Sequence, residues 1–409
     1  MSGILFQLIP LFSTFGIIFT IDSPFILFWV VSMYLFLIAL EKQRFYWLLV
    51  GVFVGLGLLT KYTMIFFYLC VFVYLLRKEK NSGFLSHNNT EKIQIQSFKI
   101  KNNFKNPMLY LSIIFSFIVF SPVIIWNFQH DWVTLKHTAG QAHIYDGFKI
   151  SLKYFFEFIG SQLLVVTPLI FILGLYFIFK SSALNLQPSQ KWFLMAFSIP
   201  VFAFFLIKSI HGKVQANWAM PAYIPFLILI AYGLTEKVYK KLIISAITVA
   251  FVFTFINHVL PYLNLPQNVD PSSRLKGWKE LGEKVSEIKK DLEKEGKVII
   301  FSDRYQISSE LAFYTKDKPT VYCINLGRRM NQYDLWQSIN NELNSLKAVH
   351  GVYVVYGWKD SPEDDVSSAF EKCVAKYFTV YKKGVKIRDY TIFKCYNFKG
   401  MKLRPAKRY

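Results

Sequence analysis

Residues 108–126 read MLYLSIIFSFIVFSPVIIW, nineteen positions without one Lys, Arg, His, Asp or Glu. As a helix this stretch rises about 28 Å, close to the depth of a bilayer's hydrocarbon core. It offers no polar face to water, so the solvent it calls for is lipid. Working outward, similar apolar runs occupy residues 4–20, 24–40, 46–60, 62–76, 154–179, 192–207, 218–234 and 242–260. Together they predict a polytopic α-helical membrane bundle of about nine spanning helices. The two runs flanking Lys61 are short and also read as re-entrant segments.

The composition agrees. Of 409 residues, 53% are hydrophobic and only 18% charged, which is too apolar for an ordinary soluble domain. The apolar excess ends near Leu260 and charged residues become frequent from Ser272. The boundary therefore falls near 266–271, with a membrane domain over residues 1–265 and a second, water-exposed domain over residues 266–409. The first apolar run lacks a basic leader and a small-residue cleavage site, and does not read as a signal peptide.

A formal charge of +21 would suit a nucleic-acid binder, but in a chain of this kind Lys and Arg report topology first, and nucleic acid is not expected as a partner. Residues 77–105 carry seven basic side chains against Glu79 and Glu91. Lys42 and Arg44, Lys180 and Lys191, and Lys237, Lys240 and Lys241 mark three further connections on the same side, expected to be cytoplasmic. Counting crossings then puts Asp22, Lys61, residues 127–153, residues 211–217 and everything after Leu260 on the outer face of the cytoplasmic membrane. Residues 81–106, rich in Lys, Asn and Ser, read as a flexible cytoplasmic loop.

In the second domain Trp278, Leu281, Val285, Ile288 and Leu292 recur at helical spacing, Gly296 stops that helix, and the apolar run 298–301 follows as a strand. Strands at 320–324 and 352–356, helices after Asp334 and near Ala369, and a final strand pair at 377–381 and 390–396 complete a small extracytoplasmic α/β domain with a mixed sheet. Cys373 and Cys395 both fall there, where an oxidising compartment permits a disulfide, while Cys323 makes the number odd.

Polar residues that interrupt the apolar pattern are the candidates for chemistry. Asp22 directly precedes a span with proline in its first turn. It reads as a helix cap, or as a catalytic carboxylate that positions or deprotonates an acceptor hydroxyl. Lys61, followed by Tyr62, lies between two apolar runs and reads as a snorkelling lysine or as a cation for a phosphate leaving group. The segment HGKVQANW holds His211, Lys213, Asn217 and Trp218, more polar groups than a plain turn needs. Asn127 lies in a similar stretch, WNFQHDW, where paired tryptophans also suit an aromatic belt. Gln162 must find a partner inside the bundle. No cofactor is expected: His130, His137, His143 and His211 allow a divalent metal in principle, but no short ligand spacing supports one. Gly51 and Gly55 form GxxxG and read as a close helix contact.

The succession FTIDSPFILFW (19–29), GVFVGLGLLTKYT (51–63), FSPVIIWNFQHDWV (120–133), GSQLLVVTPL (160–169) and HGKVQANWAMPAY (211–223) resembles glycosyltransferase family 39 and its aminoarabinose-transferase-like relatives. The pair Gly277-Trp278, RYQISSELAFYT (304–315) and NQYDLW (331–336) resemble the outer domain of bacterial members. The resemblance implies a superfamily C membrane glycosyltransferase that moves a sugar, with inversion, from a polyprenyl-phosphate-linked donor to an acceptor on the outer face. By motif match Asp22 corresponds to the acidic residue opening the second outer loop, and Lys61 and residues 211–218 to polar outer-face positions. Family members open with a spanning helix and a large outer loop bearing an Asp-Glu motif, and this chain starts where the third family helix would lie. The expectation is therefore a membrane glycosyltransferase whose donor and lipid surroundings follow from the resemblance and whose acceptor does not. The alternatives are an inactive truncated member serving as a partner subunit, and a transporter of lipid-linked sugars.

Overall fold

The computed structural model describes residues 2–18, 20–42, 45–77, 104, 106–141, 150–180, 184–263, 265–336, 339–340 and 349–404. They form two compact units, one from residues 1–135 and 142–258, the other from 136–141 and 259–409. The stretch read as a cytoplasmic loop, 81–106, lies almost wholly outside the described residues.

The first unit is helical: α1 (Ser2–Leu8), α2 (Pro10–Ile17), α3 (Asp22–Lys42), α4 (Phe45–Thr60), α5 (Phe66–Leu75), α6 (Pro107–Gln129), the start of α7 (Val133–Gln141), whose residues 136–141 belong to the second unit, α8 (Leu152–Val166), α9 (Pro168–Phe179), α10 (Pro188–Ala196), α11 (Ile199–His211), α12 (Tyr223–Gly233) and α13 (Lys237–Val259). Short 3₁₀ turns at Tyr62–Ile65 and Ala216–Ala222 precede α5 and α12. Among the described residues five stretches are long and apolar enough to cross a membrane: Asp22–Glu41, Pro107–Gln129, Pro188–His211, Ala216–Gly233 and Lys237–Tyr262. The pair α8–α9 makes a sixth if it is counted as one span, although its two halves meet at 100°.

This is fewer than the nine spans the sequence suggests, and the reasons are local. The run 4–20 breaks at Ile9 because Pro10 lacks an N–H and takes the first position of α2. The run 154–179 bends at Thr167, again just before a proline, where the backbone adopts φ 74°. The runs on either side of Lys61 fold as helices too short to count as spans, α4 with 16 residues and α5 with 10.

The exposed faces of α6 and α13 require an apolar solvent. Only 17% and 22% of their apolar windows are buried, and Ile114, Phe117, Ile118, Phe251 and Phe255 stand outward. Inside, Phe36 sits among Trp47, Tyr74, Phe67 and Phe197, with ring centroids 5.6–6.4 Å away. The expected contact at Gly51 and Gly55 is present: a Cβ at Gly51 would lie 2.3 Å from the Ser112 carbonyl oxygen, and one at Gly55 2.6 Å from Val119 Cβ, so α4 and α6 meet backbone to backbone. Polar groups stranded in the bundle find one another, as when Asn257 and His258 of α13 bond Thr14 and Ser13 of α2.

The second unit is a five-stranded mixed sheet in the order β2-β1-β3-β5-β4, built from β1 (Lys297–Ser302), β2 (Val321–Cys323), β3 (Val349–Tyr356), β4 (Phe370–Lys382) and β5 (Val385–Phe398). The first three strands are parallel, and β5 and β4 return antiparallel. Helix α14 (Trp278–Leu292) starts from Gly277, whose φ of +86° only glycine adopts freely. It lays Leu281, Val285, Ile288 and Leu292 on one sheet face, against Ile300, Val352 and Val354. Helix α15 (Tyr305–Tyr314) joins β1 to β2, and α16 (Asp364–Ala369) leads into β4. The other face stacks Phe301 between Tyr353 and Phe370, at 4.9 and 5.8 Å.

Cys373 and Cys395 face each other across β4 and β5 and form a disulfide; Cys70 and Cys323 are free and buried. At the carboxyl end of β1, burial pushes the Asp303 carboxyl above the usual carboxylate range. Arg304 opposes the shift, and Glu363 adds to it.

Candidate functional site

Helix α3 starts at Asp22, which is 3% exposed. A carboxylate there could cap its own helix, but both oxygens are engaged elsewhere. Oδ1 accepts from Lys61 Nζ at 2.6 Å and Oδ2 from Asn217 Nδ2 at 2.8 Å. The Thr20 hydroxyl adds a longer contact to Oδ2, 3.4 Å, and accepts from the Asp22 amide.

Lys61 occupies the break between α4 and the turn before α5, with extended backbone, φ −156°. Its amide still reaches back to the Gly57 carbonyl, so the stem is fixed while the side chain leaves the helix axis. The ammonium does not snorkel: it ends on Asp22, 5.4 Å from the centre of the Phe25 ring, and the side chain is 12% exposed. A buried charge persists where an opposite charge and hydrogen bonds replace water, and the two groups supply that to each other.

Asn217 reaches Asp22 from the turn Ala216–Ala222, which is held from behind. Gln162, fully buried on α8, donates to the Ala216 carbonyl at 3.3 Å and accepts from the Tyr223 hydroxyl at 2.6 Å. The Ser198 hydroxyl donates to the Ala222 carbonyl at the far end of the turn. Gln162 thus has its partner in Tyr223, a residue the sequence reading left inside a span. The signal for it was a phenol early in an apolar run, which must be satisfied within the bundle.

Of the nine residues singled out from sequence, Asp22, Lys61 and Asn217 come into direct contact, and Gln162 stands behind them. Tyr62 and Asn127 take part in a different arrangement. The Tyr62 hydroxyl donates to Thr134 Oγ1, whose own hydroxyl donates to Asn127 Oδ1 at 2.6 Å, closing the corner between α6 and α7 where Asp131 and Trp132 adopt positive φ. His211 ends α11 and is half-buried, Lys213 is exposed, and Trp218 packs on Phe205 with ring centroids 6.0 Å apart. Among the described residues no group of three His, Cys, Asp or Glu side chains is placed to hold a metal ion.

The core of the site is therefore one carboxylate, one ammonium and one amide, brought together over 39 and 195 residues of sequence. Such a set can accept a proton, hold a phosphate charge and orient a hydroxyl.

Comparison with known proteins bears on this stretch. Residues 1–89 match the family model described as dolichyl-phosphate-mannose-protein mannosyltransferase. The lipid A galacturonosyltransferase RgtD of Rhizobium johnstonii (strain DSM 114642 / LMG 32736 / 3841) is 33% identical over 128 residues, 31% of this chain and 27% of that protein. The match thus spans about a quarter of that relative's length. No solved structure matches the chain. Residues 1–89, which carry both Asp22 and Lys61, are thus the part of the chain similar to dolichyl-phosphate-mannose-protein mannosyltransferases, the same direction as its resemblance to glycosyltransferase family 39.

Proposed function

We propose that the protein transfers a sugar from a polyprenyl-phosphate-linked donor to an acceptor hydroxyl at the outer face of the cytoplasmic membrane. The observation that carries this reading is the convergence of Asp22, Lys61 and Asn217 in a chain with apolar, lipid-facing helices. A lipid-phosphate donor needs its phosphate charge met while its chain stays in the bilayer, and Lys61 is a point charge suited to that. In the transfer, the acceptor oxygen attacks the anomeric carbon and its proton passes to the Asp22 carboxylate. The bond from that carbon to the phosphate oxygen breaks, and the electron pair leaves with the polyprenyl phosphate, whose charge Lys61 stabilises. Asn217 keeps the carboxylate in line.

Two features support this choice of membrane side. The basic connections favour the cytoplasm for one face, and the Cys373–Cys395 disulfide suits the opposite, oxidising compartment for the second unit. The test uses the full chain in liposomes with undecaprenyl-phosphate-linked mannose and galacturonic acid, radiolabelled, and a membrane extract as acceptor. Transfer should occur with one of these donors and fall at least about a hundredfold in Asp22→Asn and Lys61→Ala, the scale of a lost general base or charge stabiliser. Undiminished transfer in correctly inserted variants would return both residues to a purely architectural role.

A further inference from the structure

Neither group that the proposed reaction needs is idle in the structure. Asp22 Oδ1 is taken by the Lys61 ammonium at 2.6 Å, and that ammonium's charge is in turn met by Asp22. A carboxylate gripped by an ammonium is a poor acceptor for a hydroxyl proton, and an ammonium already neutralised is a poor phosphate ligand. Resting on the reading of the site as a lipid-phosphate sugar transferase, we infer that the Asp22–Lys61 ion pair is a latch that the donor's phosphate opens. Lys61 exchanges Asp22 Oδ1 for a phosphate oxygen, and the oxygen it leaves becomes the proton acceptor. Donor binding therefore precedes acceptor binding and switches on the base.

The surroundings are built for such an exchange. Lys61 stands at a helix break on a flexible four-carbon stem, so its ammonium can change partners while α4 and the following turn keep their places. Asp22 does not follow it, because Oδ2 remains bonded to Asn217 at 2.8 Å. The turn carrying Asn217 is anchored independently by Gln162 and Ser198, so the carboxylate keeps its position when its charged partner departs. The Phe25 ring beside the ammonium presents an uncharged face that binds a cation weakly and competes little with phosphate.

Competition of this kind has a consequence opposite in sign for binding and for chemistry. Phosphate must win Lys61 from Asp22, so removing the charge of Asp22 should tighten phosphate binding even as it abolishes transfer. An ion pair that only braces the bundle predicts unchanged or weaker binding, since its loss loosens the site.

The experiment measures binding of undecaprenyl phosphate, without a sugar, to the full chain in detergent micelles. Wild type, Asp22→Asn, Asp22→Ser and Lys61→Ala are compared, each taken from a monodisperse chromatographic peak. Wild type should bind, both Asp22 variants should bind about tenfold tighter, the scale of one charge-assisted hydrogen bond, and Lys61→Ala should lose most of the affinity. If wild type shows no saturable binding, the lipid-phosphate reading of the site fails and the latch with it. If wild type binds but Asp22→Asn and Asp22→Ser bind equally or more weakly, the latch alone is overturned.

Discussion

Alanine at Gly51 and alanine at Gly160 should shift the stability of the bundle in opposite directions. Both glycines lie within helices, α4 and α8, so each substitution gains about 1 kcal/mol of helix propensity. They differ in what the new methyl group meets. At Gly51 the Cβ would lie 2.3 Å from the Ser112 carbonyl oxygen and 2.9 Å from Phe115 Cβ. The nearest atom is backbone and cannot rotate away, so α4 and α6 must part by roughly 1 Å to restore ordinary contact. Overpacking of this kind costs about 1–3 kcal/mol. At Gly160 nothing lies within 4 Å, and the propensity gain stands alone. The propensity terms cancel between the two variants, so their difference isolates the helix contact at about 1–3 kcal/mol. The assay is a thermal ramp of the full chain in detergent, following loss of the monodisperse chromatographic peak. At about 2–4 °C per kcal/mol, Gly160→Ala should melt several degrees above Gly51→Ala, with wild type between them or beside Gly51→Ala. Coincident midpoints, or the reverse order, would refute the close contact between α4 and α6.

Tyr223→Phe leaves the Gln162 side-chain oxygen without its donor. In the same assay it should lower stability by about 0.6–1.7 kcal/mol, the range for hydrogen bonds inside membrane bundles, and a midpoint equal to wild type would show the pair to be dispensable. Replacing Cys373 and Cys395 together by serine opens a loop of sequence separation 22. The chain-entropy estimate is about 3 kcal/mol, so amide hydrogen exchange in β4 and β5 should accelerate about a hundredfold, and exchange unchanged within about twofold would contradict it. Asp303 holds its proton more tightly folded than unfolded, so its stabilising contribution is present in acid and is lost as pH rises from about 3.8 through the raised folded value. Asp303→Asn should therefore match wild type below about pH 4 and melt higher at pH 7; a lower melting point at pH 7 would reverse the assignment.

What was legible in the sequence follows from what lipid demands. The run 108–126 folds as the middle of α6, because an uninterrupted apolar stretch of that length has few alternatives. The prolines at 10 and 168 also lay in plain view, but hydropathy averages over them, whereas the backbone cannot: each sets a helix start and breaks the run. The left-handed conformation of Thr167 had no signal, since a β-branched residue rarely adopts it. In the site, the polarity of Asp22, Lys61 and Asn217 stood out against an apolar background, while their pairing depended on contacts across 39 and 195 residues, which no local pattern encodes. Tyr62 and Asn127 stood out for the same reason and serve a chain corner, since a polar residue in an apolar chain signals only that it needs a partner. In the second unit, the first half of β4 escaped notice because Glu371, Lys372 and Lys376 break the apolar alternation.

That irregularity in β4 has a use of its own. The strand ends the sheet order, so its thirteen residues border a sheet with a neighbour on one side only among the described residues, and Val374, Tyr377 and Tyr381 stand exposed along it. A border of this length is a template on which another extended chain, including a second copy of this one, can add itself. Lys372, Lys376 and Lys382 along the strand place like charges against any copy that approaches. The guard against self-association is therefore electrostatic, and it weakens as salt shortens the reach of those charges.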